Sequence, residues 1–320
     1  MQNGFSEMKI TSPYYHLNHT GLRGALHAHS TNSDGVNSPH EVWRAYAEKG
    51  FQFAALTDHC EQPTLEDLKT ETGLITLSGC EYRPGGYTDW QCPEANVIGA
   101  PAPLPYGLTW DECCPALKET GAFVIYNHPN WDFDHWPCKK MLSLNVGHAV
   151  EIYNGSGDGL AGSQDATNKW DMLLSCGYRI WGVAADDAHG PDQRAKAWVE
   201  VYAAPEPAAI FDALKAGCFY ASTGVTIESI TVKDGEISVK SPSANVIRFI
   251  AERGRVVHQV EASEATYRPQ ASDVYVRIEL FGERLQQAWA NPVFIESEES
   301  RERVKTHTEW FMEQPITLLK

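Results

Sequence analysis

Helix signals and short apolar runs alternate along the first 223 residues, and this alternation restricts the fold more than any other feature of the chain. Ser38 to Glu41 forms a capping box with proline at the first helical position, and Thr109 to Glu112 repeats the box. Glycine is the usual residue just past a helix end. The predicted stop positions are Gly50, Gly121, Gly177 and Gly217. The pattern therefore predicts a series of helices with a strand between each pair.

The apolar runs are short and nearly continuous, which is typical of parallel strands that helices cover on both faces. They comprise residues 25–26, 53–56, 74–77, 122–126, 149–153 and 180–184. Six or seven such strand–helix units favour an α/β barrel over an open sheet. The absence of a GxGxxG or Walker-type loop disfavours a nucleotide-binding doubly wound sheet.

The pattern changes at about Gly224. Asp234-Gly235 is a hairpin turn signal between two strand-like runs, and apolar residues alternate with other residues over 274–280. We therefore predict two parts, an α/β barrel over residues 1–223 and a small antiparallel β domain with a tail over residues 224–320.

Charge and composition narrow the possible partners. The formal net charge is −16, which argues against nucleic acid or an anionic membrane surface as a main partner. We find neither a signal-peptide core nor an apolar stretch of membrane-spanning length. The eight cysteines are scattered without a CxxC pair, as expected of reduced thiols in a cytoplasmic protein. A small-molecule substrate remains the expected partner, and the sequence leaves the oligomeric state open.

Histidines follow the apolar runs at positions where the ends of parallel strands build active sites. These histidines are His27, His29, His59, His128 and His189. His27 and His29 are two residues apart, so both imidazoles face the same way on a strand. Alone, such a pair is compatible with two partly exposed polar residues, but five histidines at strand ends favour a metal site.

Three carboxylates accompany these histidines. Asp34 follows within a turn of His29, Glu81 ends the run after residue 77, and Asp187 precedes His189 by two residues. A carboxylate next to a buried strand is costly unless a cation pairs with it. Imidazole and carboxylate donors without thiolate suit Zn, Mn or Fe, and more than four ligands imply more than one ion.

The motifs HAH, SDG, TDH, NHP and DAH, with a strand-end glutamate, together resemble the PHP family (polymerase and histidinol phosphatase domain). The segment Phe219 to Gly224 and Ala290-Asn291-Pro292 resemble a carbaryl-hydrolase-like branch with a C-terminal β domain. The resemblance implies a distorted (β/α)₇ barrel, two or three divalent ions, and hydrolysis of phosphoesters.

The resemblance also implies a set of ligands for three ions. His27, His29, Glu81 and Asp187 hold the first ion; Glu81 bridges to a second at His128; Asp34, His59 and His189 hold a third. Trinuclear members have a further histidine between the Glu81 and His128 positions, and residues 82–127 contain none. The second position is then weak, rich in water or completed from elsewhere, with His135 and His148 as candidates.

These observations predict a hydrolase that cleaves a small organic phosphate ester with a metal-activated water. The alternatives are hydrolysis of a carboxylic ester or carbamate, and a metal-binding domain without turnover. Asp58, His59 and His189 are candidates for proton transfer. Arg83 and Arg194, near Glu81 and His189 in sequence, are candidates for binding a substrate anion.

Overall fold

A computed structural model of the protein describes residues 8–14, 21–89, 92–132, 134–157 and 162–314. The first part of the chain forms, in order, β1 (Lys9–Thr11), β2 (Gly21–Ala25), α1 (Pro39–Glu48), β3 (Phe53–Leu56), β4 (Ile75–Tyr82), β5 (Ala95–Ile98), α2 (Trp110–Glu119), β6 (Phe123–Tyr126), α3 (Cys138–Leu144), β7 (Ala149–Asn154), α4 (Thr167–Ser175), β8 (Trp181–Ala185), β9 (Trp198–Tyr202), α5 (Pro207–Ala216) and β10 (Phe219–Ser222). The second part forms β11 (Ser229–Lys233), β12 (Glu236–Lys240), β13 (Val246–Ala251), β14 (Arg255–Val260), β15 (Glu264–Tyr267), β16 (Tyr275–Phe281), β17 (Gln287–Glu296) and α6 (Glu298–Glu313).

The predicted helix starts are confirmed. The backbone N–H of Ser38 donates to the Glu41 carboxylate at 2.8 Å, and that of Thr109 donates to the Glu112 carboxylate at 2.7 Å. Each bond satisfies a donor that the first turn of a helix cannot pair internally. Gly217 ends α5 with φ of 75°, a conformation that glycine adopts without a steric cost.

Strands β2, β3, β4, β6, β7 and β8 run in the same direction, and β5 runs against its neighbours β4 and β6. The carboxyl ends of these six strands and the amino end of β5 therefore lie at one edge of the sheet. At this edge Ala28 and Ala188 pair as a parallel bridge, so the segments after β2 and β8 lie side by side. The α/β class is confirmed, while closure into a (β/α)₇ barrel stays a prediction.

The C-terminal strands are antiparallel, as the sequence predicts. β9, β10, β17, β16, β13 and β14 follow one another across the sheet, β1 pairs with β17, and β11, β12 and β15 form a separate small sheet. Asp234 and Gly235, both with positive φ, form the hairpin turn between β11 and β12. Because β10 pairs with both β9 and β17, the main sheet continues from the first part of the chain into the second. Within the described residues, every helix falls short of the length and hydrophobicity that a transmembrane span requires.

Candidate metal centre

The inner group of donors is His27, His29, Glu81 and Asp187, and all four side chains are buried. Glu81 Oε2 lies 3.2 Å from His27 Nε2 and 3.3 Å from His29 Nε2, and Asp187 Oδ1 lies 3.2 and 3.1 Å from the same nitrogens. Ligands bound at about 2.1 Å to one ion lie roughly 3.0–3.4 Å from each other, so these separations fit the edges of a coordination shell.

The outer group is His29, Asp34, His59 and His189. Asp34 lies 3.5 Å from His59 Nε2 through Oδ2 and 3.3 Å from His189 Nε2 through Oδ1. The His29 and His189 rings stack with centroids 4.1 Å apart. The side chains of Asp34 and His189 are 39% and 31% exposed, so this group lies at the mouth of the centre.

A third group contains Glu94, His128 and His135, whose donor atoms lie within 4.8 Å of one another. His128 Nε2 is 3.1 Å from Glu81 Oε1 and 3.9 Å from Glu94 Oε2. Of the two histidines considered for this position, His135 is present and His148 is not. His148 lies at the opposite end of β6, where its Nδ1 accepts the Val124 N–H at 3.2 Å.

Several buried polar atoms in the centre lack a hydrogen-bond partner of acceptable geometry among the described residues. They are His27 Nε2, both ring nitrogens of His29, His128 Nδ1 and Asp187 Oδ1. A buried polar atom without a partner costs free energy, and most such atoms in folded proteins are paired. Three of these atoms, His27 Nε2, His29 Nε2 and Asp187 Oδ1, converge on one point in the inner group, so the residues present fit a bound cation.

The nearby carboxylates dominate the ionisation of His29 and His59. Burial alone would lower the pKa of His29, but contacts with Asp187 and Glu81 raise this pKa to about 9. Burial also opposes the charged form of His59, yet Glu81, Asp34 and Glu94 raise its pKa to about 11. The pKa of Glu81 is held well below its ordinary value, against the effect of burial, by His27, His59 and His128. Without metal the centre stabilises positive charge, and the same carboxylates attract a metal cation.

The backbone is unusual at two of the proposed ligands. His128 has φ of 29° and Asp187 has φ of 52°, values that residues other than glycine seldom adopt. Such conformations cost roughly 1–3 kcal/mol each and concentrate at functional sites. The geometry therefore places side chains at this edge at the expense of local backbone energy.

Glu151 and Asn154, on β7, support the centre. Glu151 Oε1 lies 3.0 Å from His27 Nδ1, and Glu151 Oε2 accepts the His128 N–H at 2.7 Å. Asn154 Nδ2 reaches both Glu151 Oε2 and Asp187 Oδ2, at 3.1 and 3.2 Å. A carboxylate on the second ring nitrogen fixes the orientation of a ligating histidine. Glu151 was not among the residues predicted from the sequence, although a lone glutamate inside the apolar run 149–153 is a signal of such a role.

Two further aspartates fix loops around the centre. Asp58 accepts the Ser30 N–H and both the Ser30 and Ser33 hydroxyls at 2.7 Å, which anchors the loop that carries Asp34. Asp186 is fully buried, and burial raises its pKa to about 6. It accepts hydrogen bonds from Tyr46 and from the backbone of residues 195–197. Both oxygens of Asp58 accept hydrogen bonds from the loop that carries Asp34, and a role of Asp58 in proton transfer stays a prediction.

The two candidate substrate-binding arginines are buried. Arg83 pairs with Glu94 through Nη2 and donates from Nη1 to the Tyr87 carbonyl at 2.7 Å. Arg194 donates to the Asn37 side chain at 3.0 Å. Arg83 therefore contacts a candidate metal ligand, which the sequence did not indicate. Binding of a substrate anion by either residue stays a prediction.

No protein-family model and no curated protein matches the sequence. A solved two-domain protein from Bacteroides vulgatus, described as containing a predicted PHP-like metal-dependent phosphoesterase, matches with a TM-score of 0.53 and 16% identity. The match covers 93% of this chain and 98% of that one. At this identity the likeness establishes the fold, and the PHP-like resemblance of the sequence is confirmed at that level.

Two other solved structures match 52% of this chain and 88% of their own. One is an amidohydrolase from Chromobacterium violaceum with bound sulfate and no metal, at 14% identity and a TM-score of 0.40. The other is a candidate metal-dependent phosphoesterase from Bifidobacterium adolescentis, at 11% identity and a TM-score of 0.39. Likenesses this low carry no argument about chemistry.

Proposed function

We propose that this protein is a metal-dependent hydrolase that cleaves a small organic phosphate ester at a cluster of two or three divalent ions. The observation that carries the proposal is that the three donor groups surround one carboxylate. The oxygens of Glu81 lie within 3.3 Å of four imidazoles. These imidazoles belong to His27, His29, His59 and His128. A carboxylate in this position is suited to bridging adjacent ions.

The burial of each donor group indicates which ion position it would form. The inner group would hold one ion and His128 would hold a second with Glu81, while Asp34, His59 and His189 would hold a third at the mouth. Zn, Mn and Fe all suit these donors. Bound divalent ions would supply a nucleophile from water near neutral pH and neutralise charge on the attacked group. His59 and His189 would carry protons when the outer position is vacant.

The number of donors supports phosphate esters over carbonyl substrates. Several phosphoryl oxygens need charge neutralisation together, whereas a carbonyl group needs one polarised oxygen. Arg83 pairs with Glu94, and this pairing removes a basic side chain from direct contact with a dianionic phosphate substrate. The pairing therefore favours the alternative substrates, a neutral ester or carbamate.

We also propose that the sheet closes at the Ala28–Ala188 bridge into the barrel over residues 1–223, with residues 224–320 as the second domain.

The test compares metal-loaded enzyme on p-nitrophenyl phosphate, bis-p-nitrophenyl phosphate, p-nitrophenyl acetate and an aryl carbamate. We expect metal-dependent cleavage of a phosphate ester and inhibition by inorganic phosphate. The His27→Ala variant should be inactive, and His40→Ala, which removes an exposed histidine, should match the wild type. Turnover of the acetate or carbamate alone would overturn the phosphoesterase assignment in favour of carboxylic ester or carbamate hydrolysis. Metal binding without turnover of any substrate would favour the non-enzymatic alternative.

A further inference from the structure

We propose that Glu94 completes the second metal position together with Glu81 and His128, and that its carboxylate makes this position accept Mn²⁺ more readily, relative to Zn²⁺, than the imidazole-rich outer group does. The inference rests on the proposed multi-ion hydrolase function and assigns ligands to the position that the sequence left incomplete. It concerns the donor atoms of this chain, so metal content tests it separately from turnover.

The direction of β5 explains how Glu94 reaches the centre. Glu94 directly precedes β5, and β5 runs antiparallel to β4 and β6. Its amino end therefore lies beside the carboxyl ends of its neighbours. Glu94 Oε1 is 3.1 Å from His59 Nδ1, and Glu94 Oε2 faces His128 Nε2 at 3.9 Å. Glu94 also shares a donor group with His59 and Glu81, in addition to the group with His128 and His135.

The surrounding residues hold Glu94 in a fixed position. The Trp136 indole N–H donates to the Glu94 carbonyl at 2.6 Å, and the Trp110 indole N–H donates to the Pro93 carbonyl at 2.9 Å. The Glu94 N–H donates to His135 Nε2 at 3.3 Å. Three side chains thus fix the backbone on either side of one buried carboxylate. A metal ligand needs such support, whereas a glutamate without a ligand role does not.

Arg83 balances the negative charge of the buried Glu94 carboxylate. A buried carboxylate is costly unless it is paired, and Arg83 pairs with Glu94 through Oε1, which leaves Oε2 directed towards His128. The Arg83–Glu94 pair has no net charge, as a neutral histidine would have none. The pair therefore replaces a nitrogen donor with an oxygen donor without changing the charge of the centre.

The donor types give the metal preference. The second position offers two carboxylates, Glu81 and Glu94, and the His128 imidazole, while His135 Nε2 already accepts a backbone N–H. The outer group instead offers three imidazoles and one carboxylate. Carboxylate-rich sites suit Mn²⁺ and Mg²⁺, whereas imidazole favours Zn²⁺ and its neighbours. The Mn:Zn ratio of the bound metal should therefore be higher at the second position than in the outer group.

The experiment strips the full-length protein with a chelator, equilibrates it with Zn²⁺ and an excess of Mn²⁺, and measures bound metal per chain by mass spectrometry. Glu94→Gln should lose about one ion per chain, and the Mn:Zn ratio of the metal that remains should fall. The loss of affinity should exceed the roughly 10–100-fold cost of removing a partner that only orients a ligand. Glu94→His should keep the ion and shift its preference towards Zn²⁺. Glu71→Gln, an exposed glutamate, is the matched control.

Circular dichroism on each variant verifies folding, and Glu94→Asp replaces Glu94→Gln if the amide variant does not fold. Wild-type protein that binds two or more ions while Glu94→Gln keeps the same stoichiometry and Mn:Zn ratio would overturn the ligand assignment alone. A Glu94→His variant with the wild-type ratio would overturn the metal preference. Wild-type protein that binds fewer than two ions would instead overturn the multi-ion function.

Discussion

The inner and outer donor groups share His29 but differ in their access to solvent. The side chains of the inner group are at most 3% exposed, whereas the Asp34 side chain at the mouth is 39% exposed. The inner group has its donors arranged and desolvated by the fold, so an ion there should bind tightly and exchange slowly. The outer group is open to solvent, so we expect it to exchange water and metal faster and to contact the reacting molecule.

The largest expected effect is that of Glu81→Gln. The substitution leaves four imidazoles around a neutral amide and removes the charge shared by adjacent positions. We expect loss of tightly bound metal and a fall in kcat of more than about 100-fold, since losing a mere orienting partner costs 10–100-fold. Metal analysis and steady-state kinetics measure both quantities. Wild-type stoichiometry and rate in this variant would remove Glu81 from the centre.

Glu151→Gln should have the next largest effect, because it keeps every donor of the inner group but weakens the contacts to His27 and the His128 backbone. We expect inner-group metal affinity to fall by about 10–100-fold while the outer group is unchanged. Isothermal titration of stripped protein resolves the two classes of site. An equal loss at both groups would mean that Glu151 supports the fold and not the inner group.

Asp34→Asn should be milder than either inner change, since three imidazoles remain in the outer group. We expect roughly tenfold weaker binding at the mouth and full retention of inner metal. A chelator time course should show two phases in the wild type, with the fast phase accelerated and the slow phase unchanged in Asp34→Asn. A single phase in the wild type would contradict the division into inner and outer groups.

Ser33→Ala should give the smallest effect. Its hydroxyl donates to Asp58 at 2.7 Å and helps to hold the loop that carries Asp34. Loss of one such hydrogen bond costs about 1 kcal/mol, so thermal stability should fall slightly and outer-group affinity should fall with it. Thermal denaturation with and without metal measures this. A change in inner-group affinity larger than that in the outer group would be inconsistent with the proposed role of the loop.

The sequence predicted the donors that follow parallel strands, because the carboxyl ends of such strands meet at one edge of a sheet. All eight residues proposed as ligands meet in the centre, although their coordination stays a prediction. Glu94 was missed because it precedes its strand, and the amino end of a strand reaches this edge only when the strand is antiparallel. The run 95–98 contains an asparagine and gave no strand signal, so its direction could not be considered.

Partners of buried charges were the other limit of the sequence. Arg83 follows Glu81 closely enough to suggest an anion-binding role, but it pairs with Glu94, eleven residues away. Asp186 and Asp187 are adjacent, yet one fixes the backbone of residues 195–197 and the other faces His27. Sequence spacing shows which residue types are near a site. The local backbone geometry decides which of two adjacent side chains faces the metal donors.

The pairing of β10 with β17 has a consequence for how this protein can be divided or exchanged. A fragment that stops at residue 223 would keep every proposed ligand but would leave one side of β10 without its hydrogen-bonded neighbour. Exposed strand edges recruit other strands and promote aggregation. The part of the chain that carries the proposed ligands therefore depends on the C-terminal strands. Evolution or engineering that replaces these strands must supply another cover for that edge, so we expect the two parts to be inherited together.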